Sequence, residues 1–188
     1  MADLTFDSKL HRYFFDGREI PSVSEIMKPL TEMYYQRIPE KIIEKARIRG
    51  SAIHESIENY ILFNSINEEY RQYVEMFIQF MNEEQLQVVR NEFMLTDGNY
   101  AGTIDLLLKT KYGDLILVDM KATSKINTEL LELQLAGYDD LLKHNGYNTI
   151  GSYVLHFKKD GYVFKMIELN KEIWKELLDE RTNKAHKD

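Results

Sequence analysis

In the stretch GDLILVDMKA, residues 113–122, an apolar run leads into Asp119 and Lys121 with only Met120 between them. In a β-strand, residues two apart project to the same side at about 7 Å separation. Asp119 and Lys121 therefore share one face, together with Leu117, while Met120 points to the opposite, apolar side. Thirteen residues earlier in the chain, counted between the two acids, Asp105 stands among apolar neighbours in AGTIDLLLK. With Tyr112-Gly113 as a turn, antiparallel pairing brings Asp105 and Asp119 together. Two carboxylates that close repel unless a proton or a cation sits between them.

Three readings compete. An ion pair of Asp119 with Lys121 is the plain one, and it leaves Asp105 without a part. A dyad sharing one proton leaves the lysine without a part. A divalent-metal site uses all three residues: carboxylates are the hard oxygen ligands Mg²⁺ and Mn²⁺ prefer, and a lysine beside them can hold an attacking water or steady developing negative charge. Further candidate donors lie elsewhere in the chain. His54 sits in RGSAIHESIENY, off the Ile53/Ile57 stripe of a helical pattern. Glu92 lies in VRNEFML. Gln134 and Tyr138, one helical turn apart, interrupt the leucine-rich ELQLAGYDDLL, where Gly137 permits close approach of another backbone.

The elements that must position these residues follow from periodicity and turn chemistry. Asp16-Gly17 between two short extended stretches reads as a hairpin, followed by a short helix from Ser24 and Glu25. A helix is expected from about Ile42 to Phe63, with Ile53, Ile57, Tyr60 and Ile61 inward. A second runs from about Glu68 to Asn82, with Tyr70, Val74, Phe77, Ile78 and Met81 inward. LQVVRNEFML, YAGTIDLLLK and DLILVDMKA, separated by TDGN and TKYG, read as a three-stranded antiparallel meander. Thr128 is the expected N-cap of the next helix, with Asn145-Gly146 as its stop. A hairpin around KKDG and a helix from about Lys171 to Thr182, carrying Trp174 and Leu177, close the chain. The class is mixed α+β.

Composition narrows the rest. The chain has 188 residues, 44% of them apolar, and no cysteine, which excludes disulfides and thiolate-held zinc or iron–sulfur clusters. A net charge of −7 argues against a general nucleic-acid-coating role. A local basic track is nevertheless present in RIPEKIIEKARIRG, where Lys41, Lys45 and Arg49 recur at helical spacing. By charge alone, a solvated helix face is the favoured reading of that track. The N-terminus lacks a basic n-region and an apolar h-region, and no apolar run reaches membrane-spanning length. A cytoplasmic protein without membrane contact is expected, forming one domain over 1–188. Its parts are an N-terminal hairpin and short helix over 1–30, a core over 40–145, and a C-terminal hairpin and helix over 146–188.

The ordered set Gly50-x-x-x-His54, Glu92, Gly102-x-x-Asp105, Asp119-x-Lys121 and Gln134-x-x-x-Tyr138 resembles the RecB-type branch of the PD-(D/E)xK nuclease superfamily. The opening YFFDGREIPSVSEIM also resembles phage-type members. The resemblance implies a restriction-endonuclease-like core: a central mixed sheet with an antiparallel meander, flanked by helices. It implies Asp105, Asp119 and His54 as metal ligands, the Met120 carbonyl as a fourth, Lys121 as the catalytic lysine and Glu92 as an auxiliary acid. Gln134 and Tyr138 would contact the DNA backbone or hold Lys121, and Lys41, Lys45 and Arg49 would guide DNA.

Ile104 stands where the family pattern has proline, and Asp119 where glutamate is commoner. The iron–sulfur cysteines of some relatives are missing, and so is a helicase segment. The expected activity is a Mg²⁺- or Mn²⁺-dependent deoxyribonuclease, an exonuclease acting on linear single- or double-stranded DNA ends in phage or prophage recombination or repair. A recombination partner protein and further copies of the chain are partners the resemblance leaves open. The rival class is a non-catalytic DNA-binding or assembly subunit that keeps the fold. A sugar- or protein-binding domain with an ordinary surface ion pair is a third.

Overall fold

A computed structural model of the chain describes residues 3–8 and 10–185. A small antiparallel sheet comes first: β1 (Leu4–Asp7), β2 (Arg12–Phe15) and β3 (Arg18–Ile20), in that order. The turn between β2 and β3 is the expected Asp16-Gly17, with φ of 49° and 76°, the left-handed pair a two-residue hairpin needs. Helix α1 (Val23–Ile26) starts one residue earlier than expected. It carries a reciprocal cap in which Ser22 Oγ accepts the Glu25 N–H and the Glu25 carboxylate accepts the Ser22 N–H.

Helix α2 (Lys28–Tyr35) and strand β1 were not expected from the sequence. Helix α2 buries none of its residues, so it has no apolar stripe to betray it. Helix α3 (Glu40–Phe63) follows and ends on Asn64 in the left-handed conformation. A 3-10 turn (Glu68–Tyr70) leads into α4 (Arg71–Glu83). The inward face of α4 differs in phase from the expected one. Tyr73, Val74, Phe77 and Phe80 are buried, while Tyr70, Ile78 and Met81 are only partly covered, because the helix is rolled to bring Phe80 under the sheet.

The main sheet has the order β4-β5-β6-β7-β8: β4 (Gln87–Thr96), β5 (Ala101–Lys109), β6 (Leu115–Lys121), β7 (Thr149–Lys158) and β8 (Gly161–Met166). The first three form the expected antiparallel meander, and β7–β8 the expected hairpin. The two halves join through a parallel pairing of β6 with β7, and α5 (Thr128–His144) makes the crossover. Asn127, not Thr128, caps α5: its Oδ1 accepts the Leu130 N–H at 3.1 Å. Helix α6 (Lys171–Ala185) packs against α5. This is the mixed α+β class with the restriction-endonuclease-like core.

Helices cover both faces of the central strands, which explains why β5 reads Leu-Leu-Leu instead of alternating. Leu107 and Leu117 enter one core with Leu135, Leu141 and Trp174, under α5 and α6. Leu106, Leu108, Ile116, Val118 and Met120 enter the other with Ile53, Ile57, Phe77 and Phe80, under α3 and α4. Leu106, Leu107 and Leu108 have no exposed surface. Full burial of each such side chain stabilises the fold by about 1.5–3 kcal/mol. Asp105 in the middle of β5 and Asp119 near the end of β6 continue the row that Leu107 and Leu117 begin.

Candidate metal centre

Four elements converge at the C-terminal end of β6. The pairing Leu106↔Val118 places Asp105 and Asp119 on facing positions at the next step of the ladder. The backbone ladder stops there, and Asp105 Oδ2 instead accepts the Met120 N–H at 2.7 Å. On the other side of β5, Asn91↔Leu106 and Phe93↔Ile104 set Glu92 opposite Asp105. Glu92 has φ of 42°, a conformation rare for a residue with a side chain and a local strain held by its neighbours.

Helix α3 delivers His54, whose neighbours Ile53 and Ile57 are fully buried and fix the rotation of the helix. Its Nδ1 lies 3.0 Å from Glu92 Oε1 and 3.7 Å from Asp105 Oδ1, and its Nε2 lies 3.1 Å from the Met120 carbonyl oxygen. His54, Glu92 and Asp105 each offer a ligand atom within 4.8 Å of the others. Burial opposes a charge on His54, but the carboxylates of Asp105 and Glu92 prevail and raise its pKa to about 9. An imidazolium donating from both nitrogens matches the two contacts, and it must lose its proton before it can ligate a metal.

The Asp119–Lys121 ion pair expected under the plainest reading is present. Lys121 Nζ lies 2.8 Å from Asp119 Oδ2 and 3.0 Å from Oδ1. Lys121 Nζ also donates to Gln134 Oε1 at 3.1 Å, and Gln134 Nε2 donates to the Tyr138 hydroxyl at 3.1 Å. Gln134 thus contacts Lys121 directly, and Tyr138 reaches it only through Gln134. Asp119 is 1% exposed, and burial together with the Asp105 charge pushes its pKa up to about 6 against the pull of Lys121. Burial likewise raises Asp105, with Glu92 adding and His54 opposing.

These groups fit a hard divalent cation. Their donors are oxygen and imidazole nitrogen. Burial keeps two acids protonation-prone despite the nearby ammonium and imidazole, and Asp119 Oδ2 accepts no well-aligned hydrogen bond. One grouping differs from the expected ligand set. Glu92 stands within the close trio, whereas Asp119 is turned to the lysine.

The basic track lies apart from this centre. Lys41, Lys45 and Arg49 line a groove between the exposed first turns of α3 and the start of α4, shared with Glu44 and Glu69. Arg49 bonds the Tyr73 hydroxyl, and its guanidinium carbon sits 5.6 Å from that ring's centroid. Arg49 is about one and a half turns from His54, roughly 7.5 Å along the helix axis.

Sequence reasoning missed the surroundings of Lys121. A cavity of about 310 Å³ beside it is lined by Tyr35 of α2, Thr123, Lys125 and Asn127 among others. The loop Ala122–Asn127 is short and polar, and nothing in its pattern marks it as a wall.

No protein-family model matches this sequence, and no curated protein matches it. Solved structures do. The crystal structure of LHK-Exo in complex with dAMP aligns at a TM-score of 0.51 and 13% identity, over 86% of this chain and 83% of that one. The crystal structure of SSO0001 aligns at 0.43 and 13% identity, over 84% and 72%. The similarity to LHK-Exo is one of fold.

Proposed function

We propose that this chain is a divalent-metal-dependent deoxyribonuclease that hydrolyses phosphodiester bonds, acting as an exonuclease at DNA ends. The observation that carries the reading is the placement of Lys121. Its ammonium is fixed by Asp119 and Gln134 beside a trio of metal-capable donors, a concentration of buried titratable groups of the kind found at functional sites. Fold similarity to LHK-Exo, an exonuclease, supports the same class.

His54, Glu92 and Asp105 would hold the ion, with Asp119 and the Met120 carbonyl beside them, and Mg²⁺ or Mn²⁺ there would polarise the phosphoryl group and acidify a water. The chain's own part is to orient and to place charge. An ammonium has three donors. Asp119 and Gln134 engage two, which leaves one for the attacking water or a phosphate oxygen. Tyr138 holds the Gln134 amide so that its oxygen, not its nitrogen, faces the lysine. Lys41, Lys45 and Arg49 would guide the DNA backbone toward the centre. The wider reading places the enzyme in the cytoplasm, in phage or prophage recombination or repair, as a single domain working with a recombination partner or as further copies of itself.

The test is end-labelled linear DNA with purified protein and Mg²⁺ or Mn²⁺. Cleavage that stops with chelator and in Lys121→Ala supports the reading. Intact DNA under all conditions, with binding retained, would favour a non-catalytic DNA-binding subunit.

A further inference from the structure

We propose that a second cavity, on the Glu92 side of the centre, receives one unpaired nucleobase of the strand being cut. The inference rests on the nuclease reading above and names the substrate element that reading leaves open. The cavity measures about 240 Å³ and lies between the N-terminal sheet and β4–β5; its walls include Phe6, His11, Tyr13, Glu92, Thr103 and Tyr138. That is below the roughly 300–1,000 Å³ of sites for drug-sized ligands, room for a base and little more.

Position is the first argument. Glu92 and Tyr138 belong both to this cavity and to the candidate centre, so an occupant lies beside that centre.

Chemistry is the second. Phe6 packs edge-on to His11 with ring centroids 5.1 Å apart and lies 4.7 Å from the Tyr13 ring, which gives the mouth an aromatic wall. Bases stack on such surfaces regardless of sequence. Tyr13 OH and Thr103 Oγ1, hydrogen-bonded to each other at 2.7 Å, add hydroxyls to the lining.

Charge is the third. Among the described residues no lysine or arginine lines this cavity and one carboxylate does, a lining that suits a neutral base with exocyclic amino donors better than a phosphate. The cavity beside Lys121 and Lys125 has the opposite character and suits the phosphodiester backbone. A chain crossing the centre thus meets a cationic wall on one side and an aromatic one on the other.

Backbone strain is the fourth. His11, at φ of 57°, and Glu92, at 42°, both carry side chains in the left-handed region, and both line this cavity. Single-stranded or frayed ends are the substrates that present such a base with the least unpairing energy.

The experiment measures cleavage of a single-stranded oligonucleotide with Mn²⁺, next to oligonucleotides bearing one abasic residue at each position flanking the cut. A parallel binding arm uses 2-aminopurine at those positions with Ca²⁺. The expected result is cleavage of normal DNA, with KM raised about tenfold by one abasic position, the worth of one base stack. 2-Aminopurine at that same position should be quenched on binding. His11→Ala should raise KM on normal DNA, leave it unchanged on the abasic strand and abolish the quench, while His11→Phe restores both. Normal cleavage with KM indifferent to every abasic position, and no quench, overturns the base site and leaves the nuclease reading standing. No cleavage of any strand overturns the nuclease reading and this inference with it.

Discussion

The Asp105 carboxylate accepts the Met120 N–H at 2.7 Å, where the β5–β6 ladder would otherwise continue. One oxygen of the side chain thus does structural work, while the other faces His54 at 3.7 Å. The two roles separate by mutation. Asp105→Ala leaves a buried N–H without a partner and should destabilise the fold by about 1–3 kcal/mol. Asp105→Asn keeps an acceptor and should recover most of that loss, yet both variants should lose DNA cleavage and Mn²⁺ binding. Urea denaturation and calorimetric titration of Mn²⁺ check the pair.

Lys121 and Gln134 form a graded series. Lys121→Ala removes the group nearest the proposed chemistry and should lower kcat about 10²–10⁴-fold, the range for a positioned proton-transfer group. Gln134→Ala removes one hydrogen bond from the ammonium, worth about 1 kcal/mol, and should lower kcat roughly five- to tenfold. Steady-state cleavage of labelled linear DNA distinguishes the two. Equal effects would mean that the lysine acts only when the amide positions it.

Gly102 offers a test of positioning at a distance from the charged groups. A Cβ there would lie 2.9 Å from Tyr138 Cε1 and 3.2 Å from Leu141 Cδ1, so Gly102→Ala must shift the tyrosine ring. The displaced hydroxyl releases Gln134. Stability should fall by about 1–3 kcal/mol from overpacking, and the proposed cleavage should fall with it in the folded protein. Melting curves and assays well below the melting temperature separate these effects.

Asp139 anchors the crossover helix and predicts an acid limb of stability. It is 4% exposed, pairs with Lys143 at 2.6 Å and Lys171 at 3.0 Å, and accepts the Thr149 hydroxyl at 3.2 Å. Burial opposes its charge, but the two ammonium groups prevail and hold its pKa below the ordinary value. A depressed carboxylate contributes above its unfolded pKa of about 3.9 and loses that contribution as pH falls through the lower folded value. Both lysines are about half exposed, so solvent limits the worth of the pairs. Asp139→Asn should therefore cost about 1 kcal/mol near neutrality, and its denaturation midpoint should converge with that of the unaltered protein as pH falls through the lowered folded pKa of Asp139.

Much of this architecture is legible in the amino-acid order, because the strands and long helices carry one dominant signal each. Met120 between Asp119 and Lys121 reveals which side of β6 is apolar, and the structure places it in the core with Val118 and Leu155. What escapes has a physical reason. Helix α2 and strand β1 are short and bury little, so no periodicity reports them. Gly137 is legible as a site of close approach but not as to what approaches. A Cβ there would meet the Trp174 ring and Val23 Cγ1 at 2.9 Å, side chains rather than backbone. The displacement of Asp119 toward Lys121, with Glu92 among the close donors, is a matter of distances near 3 Å that spacing along a strand does not encode.

The parallel pairing of β6 with β7 has a consequence for the growing chain. Folding proceeds from the N-terminus during synthesis. His54, Glu92, Asp105 and Lys121 are all made before Gln134, and β6 gains its second neighbour only after α5 has passed over the sheet. Until then Lys121 lacks its hydrogen bond to the Gln134 amide. A ribosome-bound fragment would carry the donors of the close trio without the Gln134 contact to Lys121, so the full cluster of side chains is completed late in the protein's own making.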